Sequence, residues 1–484
     1  MKRIWYILIC LEAYCQMCYS QTGFEKIYDD FLKASLQEYL SFSDSVNNAF
    51  AETLRTEWDC FQIQSGISDD IVHKPESVPS MFENDSVGMS DGTLPIHPVS
   101  ANSTAYQAGD VMLWQADGKY PLPVSNVSID FYGTTLNLRI PEGVMSRHLL
   151  GIRENDVADF WRVMTEAGMG MLSDRCRVLG DSLQMNDWGI LQMVLGLSKQ
   201  IYPRNINSEQ TVLSVYLLNQ LGLNARIARY GHSLTCLVPA RQKIYGMRHV
   251  RIDSEPFYLV QKPSESDKIY TYRQNFPLQV KPVDLTVSRM RISGNAADVK
   301  HVTRYFATID SRVELTVNNA VASFYAGYPH TDLKIYAGTP LTTEFDKAVV
   351  ERIRPAFDGK TEVEAVNLLL RMMQYDFNYM TDEHQFGYEK PFFLEENLIY
   401  PYNDCEDRAV FFSYLVRNIL GLETALVIYP GHVCAGVCFT QKIQGMSVAY
   451  SDRIYTICDP TCQGAPAGAT NRHLTSDKYE VVVL

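Results

Sequence analysis

Asn403-Asp404-Cys405-Glu406-Asp407-Arg408-Ala409 stands at the head of an apolar run that stops at Gly421-Leu422. Beyond the stop come an apolar stretch, Tyr429-Pro430-Gly431-His432, a second apolar stretch, and Ile457-Cys458-Asp459-Pro460-Thr461. Asn403 or Asp404 suits an N-cap, and Glu406 or Asp407 follows three positions later, as in a capping box. The spacing therefore predicts a helix with Cys405 in its first turn. Gly421 suits the left-handed residue that ends a helix. The chain then reads as a strand, a turn into His432, a second strand, and another strand closing at Asp459.

That order supplies a thiol nucleophile, a general base and a group that orients the base. At a helix start, free N–H groups and the helix dipole stabilise a thiolate and can later support an oxyanion. The carboxylates beside Cys405 act the other way and raise the thiol pKa, so Cys405 needs an imidazolium at His432 to react. Twenty-seven residues separate Cys405 from His432, and 27 separate His432 from Asp459. The first gap holds a helix, a strand and a turn; adjacent strands then bring His432 and Asp459 side by side.

The pattern occurs twice. Glu209-Gln-Thr-Val-Leu-Ser-Val-Tyr-Leu-Leu-Asn-Gln-Leu-Gly222 runs on to Tyr230-Gly231-His232, as Arg408 to Gly421 runs on to His432. Phe257 to Ser264 parallels Ile454 to Thr461. In this pairing Ile206 falls opposite Cys405 and Lys262 opposite Asp459, so the first copy keeps only a histidine, His232, which reads as structural.

The runs Asp404-Cys405-Glu406-Asp407-Arg408-Ala409, Tyr429-Pro430-Gly431-His432 and Tyr455-Thr456-Ile457-Cys458-Asp459-Pro460-Thr461 resemble the transglutaminase-like superfamily of papain-type thiol enzymes. The resemblance covers roughly residues 346–465, and 185–265 more weakly. It implies Cys405 as nucleophile, His432 as base, Asp459 as orienter, and a helix packed on an antiparallel sheet. The superfamily includes protein cross-linking enzymes, peptidases, amidases and inactive binding modules, so the fold leaves the reaction open. An oxyanion donor is sought among Gln385, Asn397, Tyr400, Tyr402 and Asn403, none of which has diagnostic spacing.

The 484-residue chain is 46% hydrophobic and 20% charged, which is the composition of a globular protein of two or three domains. A formal charge of −13 argues against nucleic acid and against an anionic membrane surface as partners. Lys2-Arg3, the apolar Trp5 to Leu11 and Cys18-Tyr19-Ser20 read as an export signal too short to span a bilayer. The expected locale is periplasmic or secreted, which permits disulfides among Cys60, Cys176, Cys236, Cys405, Cys434, Cys438, Cys458 and Cys462 without requiring them. Cys434-x3-Cys438 and Cys458-x3-Cys462 suggest zinc, but two of these thiols fall inside a predicted strand, so buried free thiols are expected.

The expected organisation is a signal peptide at 1–20, a helical segment at 21–63 and a Ser/Gly/Pro-rich linker at 64–110. A degenerate transglutaminase-like module follows at 111–265, with strands over 127–140, then a β-rich connecting domain at 266–345. The last includes a strand-like Leu333-Lys-Ile-Tyr336. The catalytic module occupies 346–484, and the fold class is α+β. The aromatic segment Tyr375 to His384, with Phe386 and Tyr388, reads first as core packing and second as a cleft lining. The function expected is cofactor-free and metal-free attack of Cys405 on a peptide or carboxamide carbonyl of a peptide or protein substrate. Hydrolysis is preferred over cross-linking because no amine-donor site is visible. The rival is a non-catalytic binding scaffold.

Overall fold

The computed structural model describes residues 34, 38, 41–67, 124–203, 208–260, 267–287, 289–292, 299–341, 343–470 and 478–484. The leader at 1–20, most of the 64–110 linker, Ile206 and Lys262 lie outside the described residues. The fold is α+β, with antiparallel sheets packed against buried helices.

The first half begins with a helix, α1 (residues 41–54), whose Phe50, Ala51 and Leu54 are fully buried. A strand β1 (Asp59–Gln62) follows. The alternation in 127–140 folds as the expected strands, β2 (Val124–Phe131) and β3 (Thr134–Pro141), which pair as a hairpin. Helices α2 (Glu154–Glu166), α3 (Met169–Ser182), α4 (Asp187–Ile201) and α5 (Ser208–Gln220) come next. Strands β4 (Arg226–Tyr230), β5 (Ser233–Pro239), β6 (His249–Ile252), β7 (Glu255–Leu259) and β8 (Lys268–Thr271) complete an antiparallel sheet in the order β1-β8-β4-β5-β7-β6.

Two boundaries move. The segment 21–63 is not wholly helical, because Asp59–Gln62 pairs with Lys268–Thr271 at the sheet edge. The first unit accordingly extends past residue 265 to include β8.

In the second half, the hairpin β9 (Val299–Phe306) and β10 (Ser311–Asn318) leads to α6 (Asn319–Ala326) and α7 (Leu333–Ala337). The strand expected at Leu333-Lys-Ile-Tyr336 is thus a helix. Four residues of alternation do not distinguish the two periods, and Leu333, Tyr336 and Ala337 share one buried helical face. The region 266–345 is one hairpin with helices, rather than a β-rich domain, and its strand β8 belongs to the first sheet.

Helices α8 (Glu362–Tyr375) and α9 (Cys405–Leu415) precede a five-stranded sheet. Its strands are β11 (Glu423–Tyr429), β12 (His432–Cys438), β13 (Ser447–Tyr450), β14 (Arg453–Cys458) and β15 (Glu480–Val483). Their order is β13-β14-β12-β11-β15, and every pairing is antiparallel.

The two sheets share an order. In each, the hairpin after the buried helix is central (β4-β5 or β11-β12). The next hairpin pairs through its second strand with the second central strand, and a last strand flanks the first. Gly222 and Gly421 end the helical segments before these hairpins at φ +85° and +70°, a conformation that penalises side chains with a Cβ.

Every residue of α9 is buried, the charged Glu406, Asp407 and Arg408 of its first turn included. Phe411, Phe412 and Leu415 join Val433, Ala435 and Val437 of β12 in one core, the phenylalanines, leucine and valines each contributing about 1.5–3 kcal/mol by leaving water. The two large cores meet at Tyr325 and Tyr328, which pack on both, with Tyr325 stacked on Phe393 at 4.0 Å. Among the described residues no helix is long and apolar enough to cross a membrane.

Candidate active site

Asp404 has the extended backbone of an N-cap and Cys405 is the first helical residue of α9. Asp407 accepts the Asp404 N–H at 3.3 Å, which identifies the capping-box pair among the alternatives the sequence left open. The other Asp407 oxygen accepts the Phe392 N–H at 2.8 Å, tying the helix start to the preceding loop. Cys405 is fully buried, and its thiol donates to Glu406 Oε2 at 3.2 Å.

At the end of the turn after β11, His432 opens β12 and is 3% exposed. Asp459 follows β14, the strand paired with β12, and the sheet sets its carboxylate Oδ2 at 3.0 Å from His432 Nε2. Asp459 Oδ1 accepts the N–H groups of Thr461 and Cys462 at 2.9 and 3.0 Å, so Asp-Pro-Thr is an Asx-type turn that also fixes the carboxylate. Thr470 donates to Oδ2 at 2.5 Å. Burial alone raises the Asp459 pKa. The His432 charge and hydrogen bond, with Thr470 and Thr461, outweigh it and hold the carboxyl at about 2.

With Nε2 turned to Asp459, Nδ1 is the other ring nitrogen. It is buried and has no hydrogen-bond partner among the described residues. The structure thus makes the His432–Asp459 bond and does not make a Cys405–His432 bond.

Arg408, one turn along α9 from Cys405, is fully buried. Its Nε donates to Asn403 Oδ1 at 2.9 Å, its Nη2 to the Phe377 carbonyl at 2.8 Å, and its guanidinium lies 5.4 Å from the Tyr379 ring centre. Burial pushes its pKa down to about 10, opposed by Tyr379, Asp404, Asp459 and Cys405. The same guanidinium therefore lies in the field of both Cys405 and Asp459, and it places a positive charge among the carboxylates around Cys405. Those carboxylates form two groups, Asp382 with Asp404 and Asp407, and Asp382 with Glu389 and Glu406. Within each, oxygens lie within 4.8 Å of one another. Lys390 donates its backbone N–H to Asp382 at 2.8 Å and pairs its ammonium with Glu396 at 2.5 Å, facing the rings of Phe386, Phe392 and Tyr400.

The remaining sequence candidates divide by burial. Asn403 and Asn397 are buried and bonded to each other at 3.1 Å, and the Asn397 amide nitrogen has no hydrogen-bond partner among the described residues. Gln385 reaches the Tyr402 carbonyl at 3.5 Å, and Tyr400 belongs to the cage around Lys390. Phe377 packs between Phe306 and Phe411, whereas Tyr375 and Tyr388 are exposed, so the aromatic segment is partly core and partly surface. His232 sits exposed in the turn between β4 and β5. All eight described cysteines are free thiols. Cys434 and Cys458 belong to different cores on the two faces of the second sheet, so the four-thiol zinc arrangement is not assembled.

Three features escaped the sequence reading: Arg408, Thr470 and Gln374. Gln374 on α8 is buried and donates to the carbonyls of Asp459 and Ala465, both at 3.0 Å, which anchors the loop bearing Asp459. The signal for Arg408 was present, since an arginine heading the apolar run Ala409 to Leu415 must bury its charge against a partner.

No protein-family model matches the chain, and no match was found among curated proteins or among solved structures.

Proposed function

We propose that the second unit is a transglutaminase-like thiol enzyme acting on a peptide or carboxamide bond. The observation that carries this reading is the buried His432–Asp459 pair with Nδ1 left unbonded, set on the sheet against which the Cys405 helix packs. In the first step Cys405 gives its proton to His432 Nδ1 and its sulfur bonds to the substrate carbonyl carbon. The imidazolium, held by Asp459, then protonates the departing nitrogen as the C–N bond breaks, leaving a thioester. Water, or an amine, attacks the thioester carbon, loses its proton to His432 and releases Cys405 as the thiol. Hydrolysis is the preferred outcome. The N-terminal Lys2-Arg3, the apolar run after it and Cys18-Tyr19-Ser20 support a periplasmic or secreted setting. The first unit, with the same strand order, is proposed as a degenerate copy of the module. The test is turnover of peptide and carboxamide substrates by wild type and Cys405→Ala; undiminished turnover in the variant removes the reading.

A second reading rests on a specific contact. The Cys405 thiol donates to Glu406 and the Cys405–His432 hydrogen bond is not made, an arrangement that suits a scaffold retaining the fold without the reaction. Iodoacetamide separates the two: fast, selective alkylation of Cys405 supports the enzyme, and alkylation at the rate of an ordinary thiol supports the scaffold.

A further inference from the structure

We infer that His432, Cys434 and Asp459 form a three-donor site for a zinc-class divalent cation. Their ligand atoms, one nitrogen, one sulfur and one oxygen, all lie within 4.8 Å of one another, and all three residues are buried. Ligands of a tetrahedral zinc stand roughly 3–4 Å apart, so small side-chain adjustments close the site.

The sheet sets this spacing. His432 and Cys434 are two residues apart on β12, and Asp459 follows β14, which pairs with β12 through Ala435 and Cys458. The donor set also selects the ion. A thiolate with an imidazole and a single carboxylate suits zinc or its congeners and disfavours magnesium or calcium, which take oxygen ligands.

Charge favours occupation of so buried a place. The Cys434 thiol loses its proton to solvent as the metal–sulfur bond forms, Asp459 enters as a carboxylate and His432 as a neutral imidazole. Two negative ligands then neutralise a divalent ion that burial would otherwise penalise. The supporting contacts are in place: Thr470 Oγ1 lies 2.5 Å from Asp459 Oδ2 and 3.7 Å from Cys434 Sγ, and two backbone N–H groups hold Asp459 Oδ1.

Occupation bears on Cys405. Nε2 is the ring nitrogen turned to Asp459, and a neutral imidazole that gives Nε2 to a metal carries its proton on Nδ1. Such a ring cannot accept the Cys405 proton, so the metal arrests thiol chemistry without touching the nucleophile. This consequence rests on the thiol-enzyme reading; the binding site does not.

The test is a competition titration of Zn²⁺ against a chromophoric chelator, with full-length Cys405→Ala as parent so that the nucleophile supplies no ligand. The expected result is one Zn²⁺ per chain in the parent, with affinity falling at least about 100-fold in Cys434→Ser and in the volume-conserving Cys434→Val. Co²⁺ in place of Zn²⁺ gives a thiolate-to-metal charge-transfer band in the parent, a readout that needs no Cys434 variant to fold. Failure of the parent to bind stoichiometrically, lack of that band, or unchanged affinity in the Cys434 variants overturns the site. If the parent binds zinc while Cys405 of metal-free wild type alkylates like an ordinary thiol, the site stands and the thiol-enzyme reading falls. Rapid alkylation of Cys405 in a chain that binds no zinc removes the site alone.

Discussion

Behind the first sheet, burial is mostly apolar, and the polar groups there are neutral braces. Asn47 on α1 accepts from Trp161 Nε1 at 3.1 Å and from Gln220 Nε2 at 2.9 Å, joining three helices. The buried Asp, Glu, His, Lys and Arg side chains of that half, among the described residues, are Arg226 and His249. Around α9 and the second sheet the same class comprises Asp382, Lys390, Glu396, Asp404, Glu406, Asp407, Arg408, His432 and Asp459. Both sheets share a strand order, so neither the helix nor the hairpins demand this charge. Each buried charge opposes folding unless it is paired. Packing alone does not call for such a concentration at one helix start and one sheet end, which accords with the proposed active site.

The largest expected effect separates the halves through activity. Cys405→Ala brings turnover to background, a loss on the order of 10⁶-fold as for other removed nucleophiles, while the exposed Cys60→Ser near the first sheet leaves it unchanged. Retention of activity in Cys405→Ala makes the two halves chemically equivalent.

Asp459→Asn comes next, with kcat reduced about 10³–10⁴-fold because the amide no longer holds the imidazole tautomer that presents Nδ1 as base. The same residue gives a stability signature. Its folded pKa, about 2, lies below its ordinary 3.8. A depressed carboxyl stabilises the fold above its unfolded pKa, and that contribution disappears as the pH falls through the folded value. Denaturant unfolding of wild type should therefore lose about 2 kcal/mol relative to Asp459→Asn between about pH 4 and pH 2. A constant difference across that window removes the assignment of Asp459 as a buried, paired carboxylate.

Arg408→Met tests the charge balance. Removing one partner from a buried ionic network destabilises by about 3–5 kcal/mol, read as a shift of the denaturation midpoint. It also raises the pH at which Cys405 alkylates. Arg226→Met, across the molecule, breaks bonds to the Tyr272 carbonyl and Asn275 and lowers stability without moving that pH. Identical alkylation profiles in the two variants show that Arg408 braces structure only. The smallest effect is expected from Asn47→Ala, about 1–3 kcal/mol of stability lost through two unpaired buried donors, with Cys405 reactivity unaffected.

The locally encoded parts were legible. Residue chemistry next to periodicity placed Cys405 in the first turn of α9, His432 at the head of β12 and Asp459 after β14, and Gly222 and Gly421 marked where the helical segments stop. Two elements were misread for physical reasons: Leu333–Ala337 is too short for alternation to exclude a helix, and β8 pairs with β1 across some 200 residues that no local pattern spans. At the site, the missing information was equally nonlocal. Thr470 and Gln374 reach Asp459 from 11 and 85 residues away, through loop closure that spacing cannot reveal. Arg408 was visible as an arginine heading an apolar run, but its partners at Asn403 and Phe377 were not.

The claim that His432 and Asp459 activate Cys405 is tested most directly by the pH dependence of its iodoacetamide alkylation in wild type and in His432→Ala. The expected result is a wild-type rate that rises well below the ordinary thiol pKa of about 8.5 and a variant whose rise returns to or above that value. Superimposable profiles, both at the ordinary thiol value, would contradict it.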